Sequence, residues 1–330
     1  MIYVHGLGHF HPENVITNKF LEELDIGTSE EWILERVGIR TRRTVLPLDY
    51  IRQTKNNDPR EALSAGLYNN AQTGAKAAHM ALERAGLQAK DIGLVISGSS
   101  APDTFTPAEA ATIAAELGID VPCFDINSAC STFGMQIHFV NNLKPETLPP
   151  FILLVNPENL TRYVNYSDRS SAVIFGDGSA AAVVSATMPA RATFDACRCE
   201  SKPTEWQKVI IPRMGYFSQD GNAVQGYAIR KTTEAVRFLQ NAFHVNGNRF
   251  IFVGHQANLG MLKTVCERTG ILDHLHWHSV ENFGNTGCSG APSVLSQHWD
   301  DLRPGDHVAV SVVGGGLTWA HAMLSVEEAS

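Results

Sequence analysis

The order of elements written into this chain constrains its fold more than any single residue does. Strand and helix patterns alternate, and one order occurs twice. In the first half, AQTGAKAAHMALERAGL (71–87) has helical periodicity and a glycine stop, and the apolar run DIGLVISGSS (91–100) reads as a buried parallel strand. A helix over 107–119, a strand at VPCFDI, a helix at STFGMQIHFVNNL and the strand FILLVN (151–156) follow. The second half repeats the theme with a helix at 223–243, the strand RFIFVG (249–254) and a helix at 257–270. Each half closes on a glycine-turned segment, SAVIFGDGSAAAVVSA (171–186) and HVAVSVVGGGLTWAHAMLSV (307–326), and each reads as a β-hairpin. The pattern predicts an internally duplicated α/β fold, with halves at 1–186 and 187–330. The polar, irregular stretch 46–70 reads as an inserted loop or lid.

Composition narrows the function. With 330 residues, 44% hydrophobic and 18% charged, the chain has material for a large core or two fused ones. A net charge of −8 and the absence of a dense Lys/Arg run argue against nucleic-acid binding. No run reaches membrane-spanning length, and the N-terminus lacks a signal-peptide pattern. Six scattered cysteines do not make a disulfide framework, which predicts reducing cytoplasm as the compartment.

The thiols then differ by position. Cys197 and Cys199 form a C-x-C without a second pair or a histidine at zinc spacing, so no metal site is expected. Cys123 and Cys266 fall in apolar periodic segments and read as core. Cys130, in CFDINSACSTFG, lies where a strand hands over to a helix, and free N–H groups there lower a thiol's pKa. Packing and nucleophilic catalysis are both open for it on that ground alone. His255 ends a strand in VGHQANLGMLK, and Asn285 lies in the glycine-rich VENFGNTGCSG. Each has a plainer reading, a satisfied polar histidine and a turn-forming asparagine.

Taken together, SAC, FGDGSAAAV, GHQAN, GNTGCSG and GGGLTW, in this order and spacing, resemble the β-ketoacyl-acyl-carrier-protein synthase III branch of the thiolase-fold condensing enzymes. TSEEWILERVGIRTRR (28–43) matches the N-terminal signature of that family, and the resemblance runs from residue 1 to about 325. It implies a five-layered αβαβα fold, usually as a homodimer. It also implies a Cys130 nucleophile acylated by an acyl-CoA or acyl-carrier-protein thioester, followed by decarboxylative condensation with a malonyl-type thioester. His255 and Asn285 would stabilise the enolate, and the Cys130 N–H with one from the Gly314–Gly316 turn, Gly316 in particular, would hold the oxyanion. The resemblance further implies coenzyme A or phosphopantetheine contacts from Trp32, Arg36, Arg162 and Asn258, an acyl pocket near Thr106 and Gln225, and no cofactor. The plainer readings are a helix-face anchor for Trp32, solvated charges for the arginines and a loop residue for Thr106. Gly176 and Gly178 read as turn glycines requiring positive φ.

Several positions depart from the family pattern. Gly260 follows GHQANL where a basic residue is usual, with Lys263 three residues on, and Gly226 replaces a lysine associated with carrier docking. Gln225 replaces an aromatic, Ala320 a glycine, and Gly287-Cys288-Ser289 alters the stretch after GNT. These changes fit a specialised condensing enzyme of secondary metabolism better than housekeeping initiation. The alternatives are transfer of the acyl group to an oxygen or nitrogen nucleophile, and joining of two acyl thioesters without loss of CO2. A non-catalytic partner subunit fits poorly with intact Cys130, His255 and Asn285, and a papain-like hydrolase gives no reason for the FGDG and GGGLTW turns.

Overall fold

A computed structural model describes residues 1–243 and 248–327. Nine strands form its principal sheet: Ile2–Phe10 (β1), Leu94–Ser97 (β2), Cys123–Asp125 (β3), Ile152–Glu158 (β4), Gly178–Ser185 (β5), Ala192–Ser201 (β6), Phe250–Gly254 (β7), His307–Gly314 (β8) and Thr318–Val326 (β9). Their spatial order is β7-β8-β9-β6-β1-β5-β4-β2-β3. The strands up to β5 thus occupy one side and those from β6 onward the other. The two sides are joined in the sheet where Ile2–Val4 of β1 pairs with Ala192–Phe194 of β6.

The helices that matter for the site are Glu30–Val37 (α1), Asn70–Ala85 (α2), Glu109–Glu116 (α3), Thr132–Asn141 (α4), Gly221–Ala242 (α5), Leu259–Thr269 (α6) and Gly290–Gln297 (α7). α2 and α3 pack on the outer face of the first group of strands. α4 and α7 lie between the two groups, and α5 with α6 covers the far side. This is the five-layered αβαβα arrangement expected from the sequence. The residues explain it. Every residue of β2, β4 and β5 is buried, so these strands need cover on both faces. α2 is set by an Asn69–Gln72 capping box and a left-handed Gly86, and it lays its alanines against the sheet.

Three expectations are corrected. Only the second glycine-turned segment is a hairpin, with β8 and β9 paired antiparallel across the turn. In the first, Arg169–Ala172 is a short helix and only Gly178–Ser185 is a strand. Neither Gly176 nor Gly178 has positive φ. They are glycines because of close approach: a Cβ would fall 2.2 Å from the Phe283 carbonyl oxygen at Gly176, and 2.7 Å from His11 Nδ1 at Gly178. Between them the buried Asp177 accepts from the Val45 and Thr161 N–H groups at 2.7 and 2.8 Å, which pins three segments together. The stretch 46–70 is likewise no irregular loop or lid. It forms the helices Leu48–Thr54 and Pro59–Ala65, buries Leu46, Ile51 and Ala62 in the core, and is tied down by Asn56, whose amide donates to the Arg162 and Val164 carbonyls at 2.9 Å.

Candidate active site

Parallel strands β2 and β3 end in register at Ser97 and Asp125, and the chain leaving β3 must turn sharply into α4. Ala129 takes the turn at φ +47°, a left-handed conformation rare for a residue with a Cβ. Asn127 Oδ1 holds it by accepting from the Ala129 N–H at 2.9 Å, and the Ser131 N–H closes on the Ser128 carbonyl at 3.1 Å. Cys130 is thereby presented one residue before the Ser131 cap of α4. Across the central layer, β7 delivers His255 directly after Gly254, and Asn285 precedes α7.

Cys130, His255 and Asn285 line one cavity of about 340 Å³. Gly314 and Gly315 border it, while Gly316 lies one step further along the turn. Gly314 has no room for a side chain, since a Cβ would sit 2.8 Å from the Ser131 nitrogen and 2.9 Å from the Cys130 nitrogen. A second cavity of about 150 Å³ adjoins the first at Cys130, Val209, Phe217 and Gly315. Its remaining wall is mainly apolar, with Leu160, Phe175, Ile210 and Ile211. Cys130 stands at the junction of a larger cavity and a smaller one, both mainly apolar.

The electrostatics of the three residues are distinct. Burial lowers the His255 pKa to about 4, so the ring is neutral at physiological pH, and its buried Nδ1 has no partner among the described residues. Asn285 Oδ1 accepts from the Gly287 N–H at 2.9 Å, so the amide NH2 is the end left for the cavity. Burial and, secondarily, the Glu158 carboxylate push the Cys130 thiol up to about 12. The lowered pKa expected at a helix start is therefore overturned: desolvation prevails, and the resting group is a thiol.

The peripheral residues divide. Trp32, Arg36, Asn258 and Gln225 line the larger cavity. Asn258 also caps α6, accepting from the Met261 N–H at 3.1 Å, and donates to the Arg36 carbonyl at 3.1 Å. Arg162 does not reach the cavity. It is 1% exposed, paired with Asp103 at 2.6 Å and bonded to Asn70 Oδ1 at 2.9 Å, so its charge is spent inside the fold. The cation at Trp32 is instead Arg169, its guanidinium carbon 4.8 Å from the ring centroid and its side chain exposed. Sequence reading passed over Arg169 for an arginine seven residues earlier. Thr106 is exposed on the surface and borders neither cavity of its own chain; Gln225 is exposed at the rim. Of the residues around the apolar cavity, Leu160, Ile210 and Ile211 carried no motif. Only their shared apolar character could have marked them.

The six cysteines are free thiols, and no cluster of three or more His, Cys, Asp or Glu suited to a metal occurs among the described residues. No helix among them is long and apolar enough to cross a membrane. Residues 124–203 match the family described as 3-oxoacyl-[acyl-carrier-protein] synthase III, and residues 250–326 match its C-terminal counterpart. A β-ketoacyl-[acyl-carrier-protein] synthase III of Campylobacter fetus subsp. fetus is 30% identical over 337 residues, covering 97% of this chain and 96% of its own. The crystal structure of a 3-oxoacyl-[acyl-carrier-protein] synthase III from Aquifex aeolicus superposes with a TM-score of 0.86 at 26% identity, over 98% of this chain and all (100%) of the other. The priming β-ketosynthase of the R1128 polyketide biosynthetic pathway superposes with a TM-score of 0.80 at 26% identity, over 100% of this chain and 97% of its own. With relatives of this identity matched end to end and the thiolase-type layers in place, the chain belongs to the β-ketoacyl-acyl-carrier-protein synthase III family, acyltransferases that carry out condensations in fatty-acid and polyketide biosynthesis.

Proposed function

We propose that this chain is a two-step condensing enzyme in which Cys130 carries the acyl group. The observation that carries the reading is the meeting of Cys130, neutral His255 and the Asn285 carboxamide on one cavity, with a separate apolar cavity behind the sulfur. In the first step the Cys130 sulfur attacks the thioester carbonyl of an acyl-CoA or acyl-carrier-protein donor. The C–S bond to the carrier breaks, and the proton lost by Cys130 ends on the departing thiol. Free N–H groups at the start of α4 favour negative charge as it develops on the attacking sulfur. The carbonyl oxygen draws on the Cys130 N–H and one from the Gly314–Gly316 turn. The apolar cavity beside Leu160, Phe175 and Ile211 receives the acyl tail, and Trp32 with Arg36 and Arg169 meets the nucleotide end of coenzyme A.

In the second step a malonyl-type thioester, on acyl carrier protein by analogy with the named relatives, replaces the spent carrier. Loss of CO2 leaves an enolate whose oxygen accepts from His255 and the Asn285 NH2. Its carbon then forms the new C–C bond to the acyl carbon as the Cys130 C–S bond breaks. The electron balance closes without a redox equivalent, so the scheme requires no redox cofactor. A histidine held near pKa 4 is a poor base but a sound neutral donor. That favours decarboxylation over the proton abstraction that joining two acyl chains would need. We further propose a homodimer in which Thr106 of each copy approaches the acyl pocket of the other.

Release of CO2 from malonyl-acyl carrier protein tests the second step. Asn285→Ala and His255→Ala are each expected to cut it roughly 10²–10³-fold, the cost of one lost oxyanion donor, while Cys130 is still acylated. Unchanged CO2 release would refute the assignment.

A further inference from the structure

Glu158 ends β4 and is completely buried. No cation pairs with it among the described residues. Its Oε1 accepts from the Ser100 N–H at 2.6 Å and from the Cys288 S–H at 3.0 Å, and that thiol also lies 3.3 Å from the Gly98 carbonyl oxygen. Its Oε2 is buried with no hydrogen-bond partner. A buried, unpaired carboxyl is expensive, and such groups concentrate at functional sites. Its neighbours are the site's own supports. Gly287, at φ +56°, lies so close that a Cβ would fall 2.8 Å from the carboxyl carbon, and the Gly287 N–H is the donor that orients Asn285 Oδ1. Ser100 shares the apolar cavity with Cys130.

We propose that Glu158, acting through Cys288 and the Gly287 turn, is a positioning residue that aims the Asn285 carboxamide, and that its carboxylate, bonded to Ser100 on the wall of the Cys130 cavity, adds its charge to the burial already acting on Cys130. The inference rests on the two-step reading above. Burial holds the Glu158 pKa near 7, and its negative charge opposes a thiolate at Cys130. The titratable groups facing this pair are Cys288 from the Asn285 loop, Tyr163 from the turn after β4, and His255 across the cavity. Cys288 lies in the Gly287-Cys288-Ser289 stretch by which this chain departs from the family pattern after Asn285.

Two measurements test the proposal. The first follows alkylation of Cys130 by iodoacetamide against pH, located by peptide mapping, in wild type and Glu158→Gln. Loss of the carboxylate is expected to move the profile to lower pH, with roughly ten-fold more thiolate at a fixed pH if the profile moves by about one pH unit. The second compares the two half-reactions in Cys288→Ala and Cys288→Ser. Alanine is expected to slow CO2 release roughly ten-fold or more, as small misplacements at a reacting centre do, with Cys130 acylation unchanged and serine restoring the rate. An unmoved profile, or equal slowing of both half-reactions in Cys288→Ala, overturns the proposal. Should Glu158→Gln fail to fold, the Cys288 pair decides alone. Alkylation needs no acyl donor, so it still reads the effect of Glu158 on Cys130 should wild type fail to become acylated, a result that would refute the two-step reading and with it the role given to Asn285.

Discussion

At the scale of single residues, position within the fold decides what each group does. Arg162 and Arg169 are both arginines on the segment after β4, yet one is locked to Asp103 and Asn70 and the other lies over Trp32. Arg169→Ala is accordingly expected to raise KM for an acyl-CoA donor about 2–5-fold, the worth of an exposed cation–π contact, and to leave kcat unchanged; Arg162→Ala should instead lower the melting temperature. Steady-state kinetics and thermal melts on both variants check this. The sequence pointed to Cys130, His255 and Asn285 because each lies in a short motif that also dictates its backbone. It could not separate the arginines, because Asp103 and Asn70, which draw Arg162 inward, lie some sixty and ninety residues away along the chain. The resting state of Cys130 was misjudged for a similar reason. A helix start is visible locally, whereas the burial that outweighs it is made by β8 and the loops around it.

At the scale of elements, the GGG turn and the nucleophile turn act as one unit. Gly314 packs against the Cys130 and Ser131 nitrogens, and Thr318 Oγ1 joins the Ser131 hydroxyl at 2.6 Å. Gly314→Ala should cost about 1–3 kcal/mol in stability through overpacking and suppress Cys130 acylation, because the N–H groups proposed to hold the oxyanion are forced apart. Denaturant melts and acylation rates check the two effects together; a variant as active as wild type would show that this contact is slack. Elements with strong periodicity, such as α2 and α5, were legible from sequence. The segment 171–178 was not, because its alternation resembles a strand while Asp177 fixes it to residues 45 and 161. The helices in 46–70 were missed because their polar surface hides the three or four apolar residues that anchor them. For both segments the deciding contacts are long-range.

At the scale of the molecule, five layers bring the strand ends of two halves together, and buried titratable groups accumulate around that meeting place. Burial holds His9, His255, His276 and His321 near pKa 4 and His11 near 3, and lowers His278. Each binds its proton more readily when unfolded, so their contribution is present above pH 6.5 and lost as the pH falls toward 4. Glu109, Glu158 and Asp177 have raised values, about 8, 7 and 6, mainly through burial. Their sign is opposite, because the folded state holds the proton and stability declines as the pH rises through those values. Six histidines against three carboxyls predict a melting temperature that rises from pH 4.5 to about 6.5 and then falls gently toward pH 8. A monotonic rise across the whole range would contradict that assignment. The central claim is that Cys130 carries the acyl group and that a malonyl thioester discharges it. Intact-protein mass spectrometry after incubation with a panel of acyl-CoA and acyl-carrier-protein thioesters, wild type beside Cys130→Ala, tests it most directly. The account predicts a gain of one acyl group in wild type alone, lost again with a β-ketoacyl product when malonyl-acyl carrier protein is added; an equal mass gain in Cys130→Ala, or an adduct that malonyl-acyl carrier protein leaves in place, would contradict it.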